Sequence, residues 1–97
     1  MLEVNANDFS SSDDILHNRR KHSNDEVQYI ENFGEKMKSI RLSKGWTLKK
    51  AEEQGYPSWR HLSDIENGKK SVTIITLLRL SRLYEMHPAD LLRDLVH

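Results

Sequence analysis

Residues 58–70 read SWRHLSDIENGKK. Leu62 and Ile65 stand three residues apart in a polar surround, and Asn67-Gly68 follows at once. The segment therefore reads as about two and a half turns of helix closed by a left-handed cap. Two lysines, Lys69 and Lys70, come directly after it. A helix that can bury only two aliphatic side chains leaves a polar outer face over, and that face is the candidate binding surface.

The flanking sequence supplies more helices. Ser23 with Glu26 makes a capping-box pattern, after which Ile30, Phe33, Met37 and Ile40 recur at three- and four-residue steps, giving a helix that ends near Gly45. Thr47 is an N-cap for the short run LKKAEEQ, which Gly55 and Pro57 stop, and Ser58 caps the helix of residues 58–67. Residues 71–86, SVTIITLLRLSRLYEM, carry the broadest apolar stripe, formed by Ile74, Leu77, Leu78, Leu80 and Leu83. Its β-branched start would also suit a strand, but length and leucine content favour a helix. In HPADLLRDLV, Pro88 takes a first helical position and Leu91, Leu92 and Leu95 share one side. The expectation is an all-α domain of five helices over residues 25–97. Residues 1–24 read as a polar, disordered leader, because their apolar side chains are too scattered to make a face. Within it DDILHNRRKH, residues 13–22, offers at most a turn or two of helix.

Bulk properties narrow the function. A chain of 97 residues has room for one modest core and a tail, which argues against a multidomain enzyme. Cysteine is absent, so disulfides, thiolate nucleophiles and cysteine zinc sites are excluded. No apolar run suffices to span a bilayer, and the N-terminus is acidic where a secretory signal would be basic and then apolar, so a cytoplasmic location is expected. The net charge of zero hides a split: residues 1–32 hold three basic against seven acidic side chains, whereas residues 33–97 hold twelve against eight. The helical part is thus mildly basic, which permits phosphate binding without demanding it.

Two short helices joined by a tight glycine-containing turn, the second with a polar outer face, form the arrangement of a helix-turn-helix. Arg41 ahead of KGWT, the run Leu62-Ser63-Asp64-Ile65-Glu66-Asn67-Gly68-Lys69, and a later helix reaching Leu91-Leu92 complete a pattern over roughly residues 33–95. In these features the chain resembles the Xre-type, or phage lambda repressor-like, DNA-binding domain. The resemblance implies a five-helix fold, base or phosphate contacts at Trp59, Arg60, Asp64 and Asn67, and a structural role for Glu66 such as an ion pair with Arg41. The chain also departs from the family. Ungapped alignment sets Ala51-Glu52 where relatives carry Leu-Ala and Tyr56 where a turn glycine is common; an alternative register sets Ala51 and Gly55 on the family's alanine and glycine. Leu48 replaces a polar residue that in many relatives touches phosphate.

At 100° per residue, Leu62 and Ile65 point one way while Arg60, Ser63, Asp64 and Asn67 point away from them. Trp59 and His61 flank the boundary at the N-terminal end, the end that enters the major groove in helix-turn-helix docking. Arg60 is the candidate for base readout, since its fork fits guanine O6 and N7; a solvated arginine or a salt bridge to Asp64 is the plainer alternative. Trp59 suits a thymine methyl or the DNA backbone, or packing beside Leu62. For His61, surface or partial packing competes with a direct DNA role. Asp64 repels phosphate unless it accepts from cytosine N4. Lys69 and Lys70 suit phosphate clamping, which adds affinity but no sequence information. Thr47 caps its helix and can aim that helix's amides at a phosphate, and Ser58 opens the docking helix.

His17, His22, His61, His87 and His97 show no metal-ligand spacing, and no phosphate loop, nucleophile motif or carboxylate pair is present. Neither catalysis nor a cofactor or metal is expected. The reading is a sequence-specific, double-stranded DNA-binding transcriptional regulator, working as a homodimer on two half-sites. Leu92, Leu95 and Val96, or Leu2, Val4, Phe9, Ile15 and Leu16 of the leader, are the apolar candidates for a dimer surface. A rival reading is a helix-turn-helix used to bind protein, as in an antitoxin whose acidic leader covers a partner's basic surface.

Overall fold

The computed structural model describes residues 22–95, and the elements below belong to those residues. The expectations for a leader up to residue 21 and for Val96 lie outside them. Five helices follow in order: α1 (Asn24–Ser43), α2 (Leu48–Glu53), α3 (Trp59–Glu66), α4 (Ile74–Tyr84) and α5 (Pro88–Leu92). Among the described residues there is no strand.

Local chemistry sets each start. The Ser23 hydroxyl accepts from the Glu26 N–H (3.2 Å) while the Glu26 carboxylate accepts from the Ser23 N–H (3.0 Å), completing the capping box of α1. Thr47 Oγ1 accepts from Lys50 N–H (3.0 Å) at α2, and Ser58 Oγ accepts from His61 N–H (3.2 Å) at α3. Pro88 opens α5, where its missing N–H costs nothing.

The core gathers Met37, Ala51, Leu62, Ile65, Leu80, Tyr84 and Leu91, each almost fully buried. α3 packs against both α1 and α2, while α5 packs on α1 and α4. Gly34, in the middle of α1, marks the crossing with α3: a Cβ there would lie 2.3 Å from the Ile65 carbonyl oxygen and 2.8 Å from that of Glu66. The absent side chain lets the C-terminal carbonyls of α3 rest on the α1 backbone.

The turn between α2 and α3 is built on Gly55. Ala51 is fully buried, and Gly55 at φ +124° donates to the Glu52 carbonyl (3.0 Å), while Tyr56 N–H reaches back to Ala51 (3.2 Å). A side chain at Gly55 would be strained, whereas Tyr56, whose side chain is buried, needs no such freedom. The expected left-handed cap of α3 is present: Gly68 at φ +72° donates to Ile65, and Lys69 N–H to Asp64 (2.9 Å).

Two apolar stripes read from sequence were too wide. α4 begins at Ile74 rather than Ser71, because Thr73 Oγ1 accepts from Thr76 N–H (3.1 Å) and caps it. Its core face is Thr76, Leu80 and Tyr84, with Leu77 and Leu83 partly buried. Ile74 and Leu78, one turn apart, stand 75% and 47% exposed, since a small core covers only one face of a helix. Leu92 is likewise exposed, while Leu91 and Leu95 are buried. Leu95 comes after α5 has ended and after Asp94 at φ +68°, so helical spacing no longer relates it to Leu92.

Candidate nucleic-acid interface

α3 divides by face as its pattern dictates. Leu62 and Ile65 are buried, Arg60 and Asn67 are exposed, and Ser63 and Asp64 are half-buried between them. Its first turn is held twice: Ser58 Oγ takes the His61 N–H, and a Glu52 carboxylate oxygen takes the Trp59 N–H at 3.0 Å. The second bond ties α2 to the start of α3 and satisfies an amide that the helix leaves unpaired. Nothing in the local sequence signals Glu52, because its partner depends on the angle between the helices.

Trp59 is half-buried, and two cations contact its indole: Arg60 Cζ is 5.1 Å and Lys49 Nζ 5.9 Å from a ring centroid. Arg60 therefore lies against an aromatic face, and among the described residues it makes no ion pair with Asp64. His61 turns to Tyr56, with Nδ1 and the phenol oxygen 2.7 Å apart and the rings stacked at 5.9 Å. When Nδ1 carries no proton, the phenol donates. Burial lowers the pKa of His61, with Lys70 and Arg79 adding to the effect and Asp64 opposing it. Burial also pushes the Tyr56 phenol up to about 12. Partial packing is thus the reading the geometry supports for His61.

Behind the face, Arg41 donates through Nε to Glu66 Oε2 (2.7 Å) and through Nη2 to Oε1 (2.9 Å), with Nη1 on the Trp46 carbonyl (2.7 Å). Both side chains are buried. The hydrogen bonds to Glu66 raise the Arg41 pKa further. The expected ion pair is therefore the strut that fixes the end of α3 to α1.

A family model described as helix-turn-helix matches residues 37–91, more than half the chain, and spans α2, the glycine turn, α3 and α4 entire. The chain belongs to this family. It is the Xre-type, lambda repressor-like helix-turn-helix that the sequence pattern resembles. No curated protein and no solved structure matches the chain. A helix-turn-helix protein of this family is in general a DNA-binding regulator, and α3 is the second helix of the motif. Among the described residues no helix is long and apolar enough to cross a membrane.

The remaining candidates sit around the helix-turn-helix in two groups. Asn67 caps the C-terminus of α3 and its amide donates weakly to Ser63 Oγ (3.4 Å). Lys69, just beyond, is exposed, whereas Lys70 is half-buried and lines a shallow apolar cleft with Tyr29, Phe33, Val72 and Leu95. Its stem can cover apolar surface while the ammonium stays in water. At the other end, the Thr47 hydroxyl is occupied in capping α2, and Leu48 packs against the core. That packing suits an apolar side chain at this position. Lys49, exposed beside Leu48, is the residue the sequence pattern did not single out.

Proposed function

We propose that this protein is a sequence-specific regulator that binds double-stranded DNA by laying α3 in the major groove, as a symmetric dimer on two half-sites. The observation that carries the reading is the exposed Arg60 in the first turn of a helix whose opposite face is fully buried. A planar, always-charged fork at that position can take guanine O6 and N7 together, a contact worth about 1–3 kcal/mol of base discrimination. Asp64 and Asn67 follow along the same face and offer an acceptor for cytosine N4 and an amide for adenine. Lys69 and Lys70 serve phosphates, and Thr47 and Ser58 fix the two helix starts. His61, held by Tyr56, shapes the face more than it reads bases. Residues 25–97 form the binding unit, with residues 1–24 as a leader.

The test is selection of bound duplexes from a random-sequence pool with the full chain. Enrichment of an inverted repeat with half-sites about one helical turn apart supports both the groove reading and the dimer. Enrichment of a single short site keeps the reading and removes the dimer. No enrichment, with binding no tighter than about 10⁻⁵ M at physiological salt, removes sequence-specific recognition.

A further inference from the structure

Two like charges from different helices share one aromatic ring. Lys49 is the second residue of α2 and Arg60 the second of α3, and both cationic groups lie within 6 Å of a Trp59 ring centroid. On exposed, flexible side chains such charges would drift apart into water. A tryptophan ring attracts each of them through its quadrupole and limits how far each strays into water. The neighbouring Glu52 carboxylate is turned to the Trp59 backbone N–H, so it serves the helix start.

We infer that Trp59 is a positioning residue and that Lys49 is an additional phosphate-binding residue, held, like Arg60, against the indole of Trp59. This rests on the DNA-binding reading above and adds to it a contact supplied by α2. The division of labour follows from the chemistry of the two cations. The ammonium of Lys49 is a compact point charge suited to a phosphate oxygen, and the fork of Arg60 is suited to a base edge. A side chain already resting on a ring loses less freedom when DNA arrives, so the ring improves affinity through the cations without touching DNA itself.

The experiment is fluorescence anisotropy of the full chain on its selected duplex across a KCl series, with folding of each variant followed by circular dichroism. Lys49→Ala should lower the slope of log K against log salt by about one, the signature of one lost phosphate contact. Trp59→Leu should weaken binding roughly 3- to 10-fold, Trp59→Phe should restore most of that, and Trp59→Leu should cost a smaller factor in a Lys49→Ala background than in the parent. An unchanged slope for Lys49→Ala overturns the inference, and that variant alone decides the matter if Trp59→Leu does not fold. Equal cost of Trp59→Leu in both backgrounds also overturns it, because the ring would then act without Lys49. If the parent binds and responds to Lys69→Ala but not to Lys49→Ala, only this inference falls; if the parent binds no duplex, the DNA-binding reading falls with it.

Discussion

Arg41 grips Glu66 with two parallel hydrogen bonds of 2.7 and 2.9 Å, joining residues 25 positions apart in sequence inside a buried site. The pair holds the carboxyl end of α3 against α1, so the outer face of α3 is presented at a fixed angle. Breaking one side of such a pair strands a buried charge. Arg41→Ala or Glu66→Ala should each destabilise the fold by about 3–5 kcal/mol, a large part of what a small domain has. Arg41→Met combined with Glu66→Leu should cost less than either single change, since no charge is left behind. Urea unfolding of the three variants checks this; additive losses would show that the pair does not act as a unit.

Gly34 gives a prediction whose sign separates two effects. In an isolated helix, Gly→Ala gains about 1 kcal/mol. Here the added Cβ would meet two backbone carbonyls of α3 at 2.3 and 2.8 Å, and backbone cannot swing aside as a side-chain end can. Gly34→Ala should therefore destabilise by about 1–3 kcal/mol. A rise in thermal midpoint would show that the helices do not approach this closely.

His61 sets a pH dependence. Burial lowers its pKa below the ordinary 6.5, so in the folded protein the charged form is disfavoured and the unfolded chain takes up the proton first. Stability from this group is complete above about pH 6.5 and is lost as pH falls from there through the lowered native value. His61→Gln should flatten the stability profile in that window while leaving neutral-pH stability less affected. Denaturant midpoints for both proteins between pH 7.5 and 5 measure it, and identical slopes would contradict the assignment.

Much of this was legible because it is local. Ser23 with Glu26, Thr47 and Ser58 are caps whose partners lie three residues away, and Leu62 with Ile65 declare the buried side of α3 by spacing alone. The Arg41–Glu66 pair followed from the family resemblance. What escaped depends on three-dimensional approach. Gly34 looks like a weak point in a helix until α3 is laid across it. Ile74, Leu78 and Leu92 look like core until the core proves too small to cover them. Glu52 and Lys49 acquire partners only through the angle between α2 and α3, and the Thr73 cap sits inside a β-branched run that would also suit a strand.

Within the proposed interface, base-reading and phosphate-binding residues should fail differently. Arg60→Ala should relax preference at one position of the selected site, costing about 1–3 kcal/mol there. Lys69→Ala should weaken binding to all sequences alike and reduce the salt slope by about one. Competition assays with single-base variants of the site distinguish the two. If Arg60→Ala weakens every sequence equally, Arg60 contacts backbone and base readout belongs elsewhere on α3.

In the proposed complex the outer face of α3 meets DNA. The most direct measurement is a titration of the isotope-labelled full chain with its selected duplex, followed by backbone and side-chain nuclear magnetic resonance. Shifts should concentrate on residues 58–70, with Arg60 and the Trp59 indole among the largest, while Leu91 and its neighbours on α5 change little. Shifts centred on the exposed face of α4 around Ile74 and Leu78, with α3 unmoved, would contradict it.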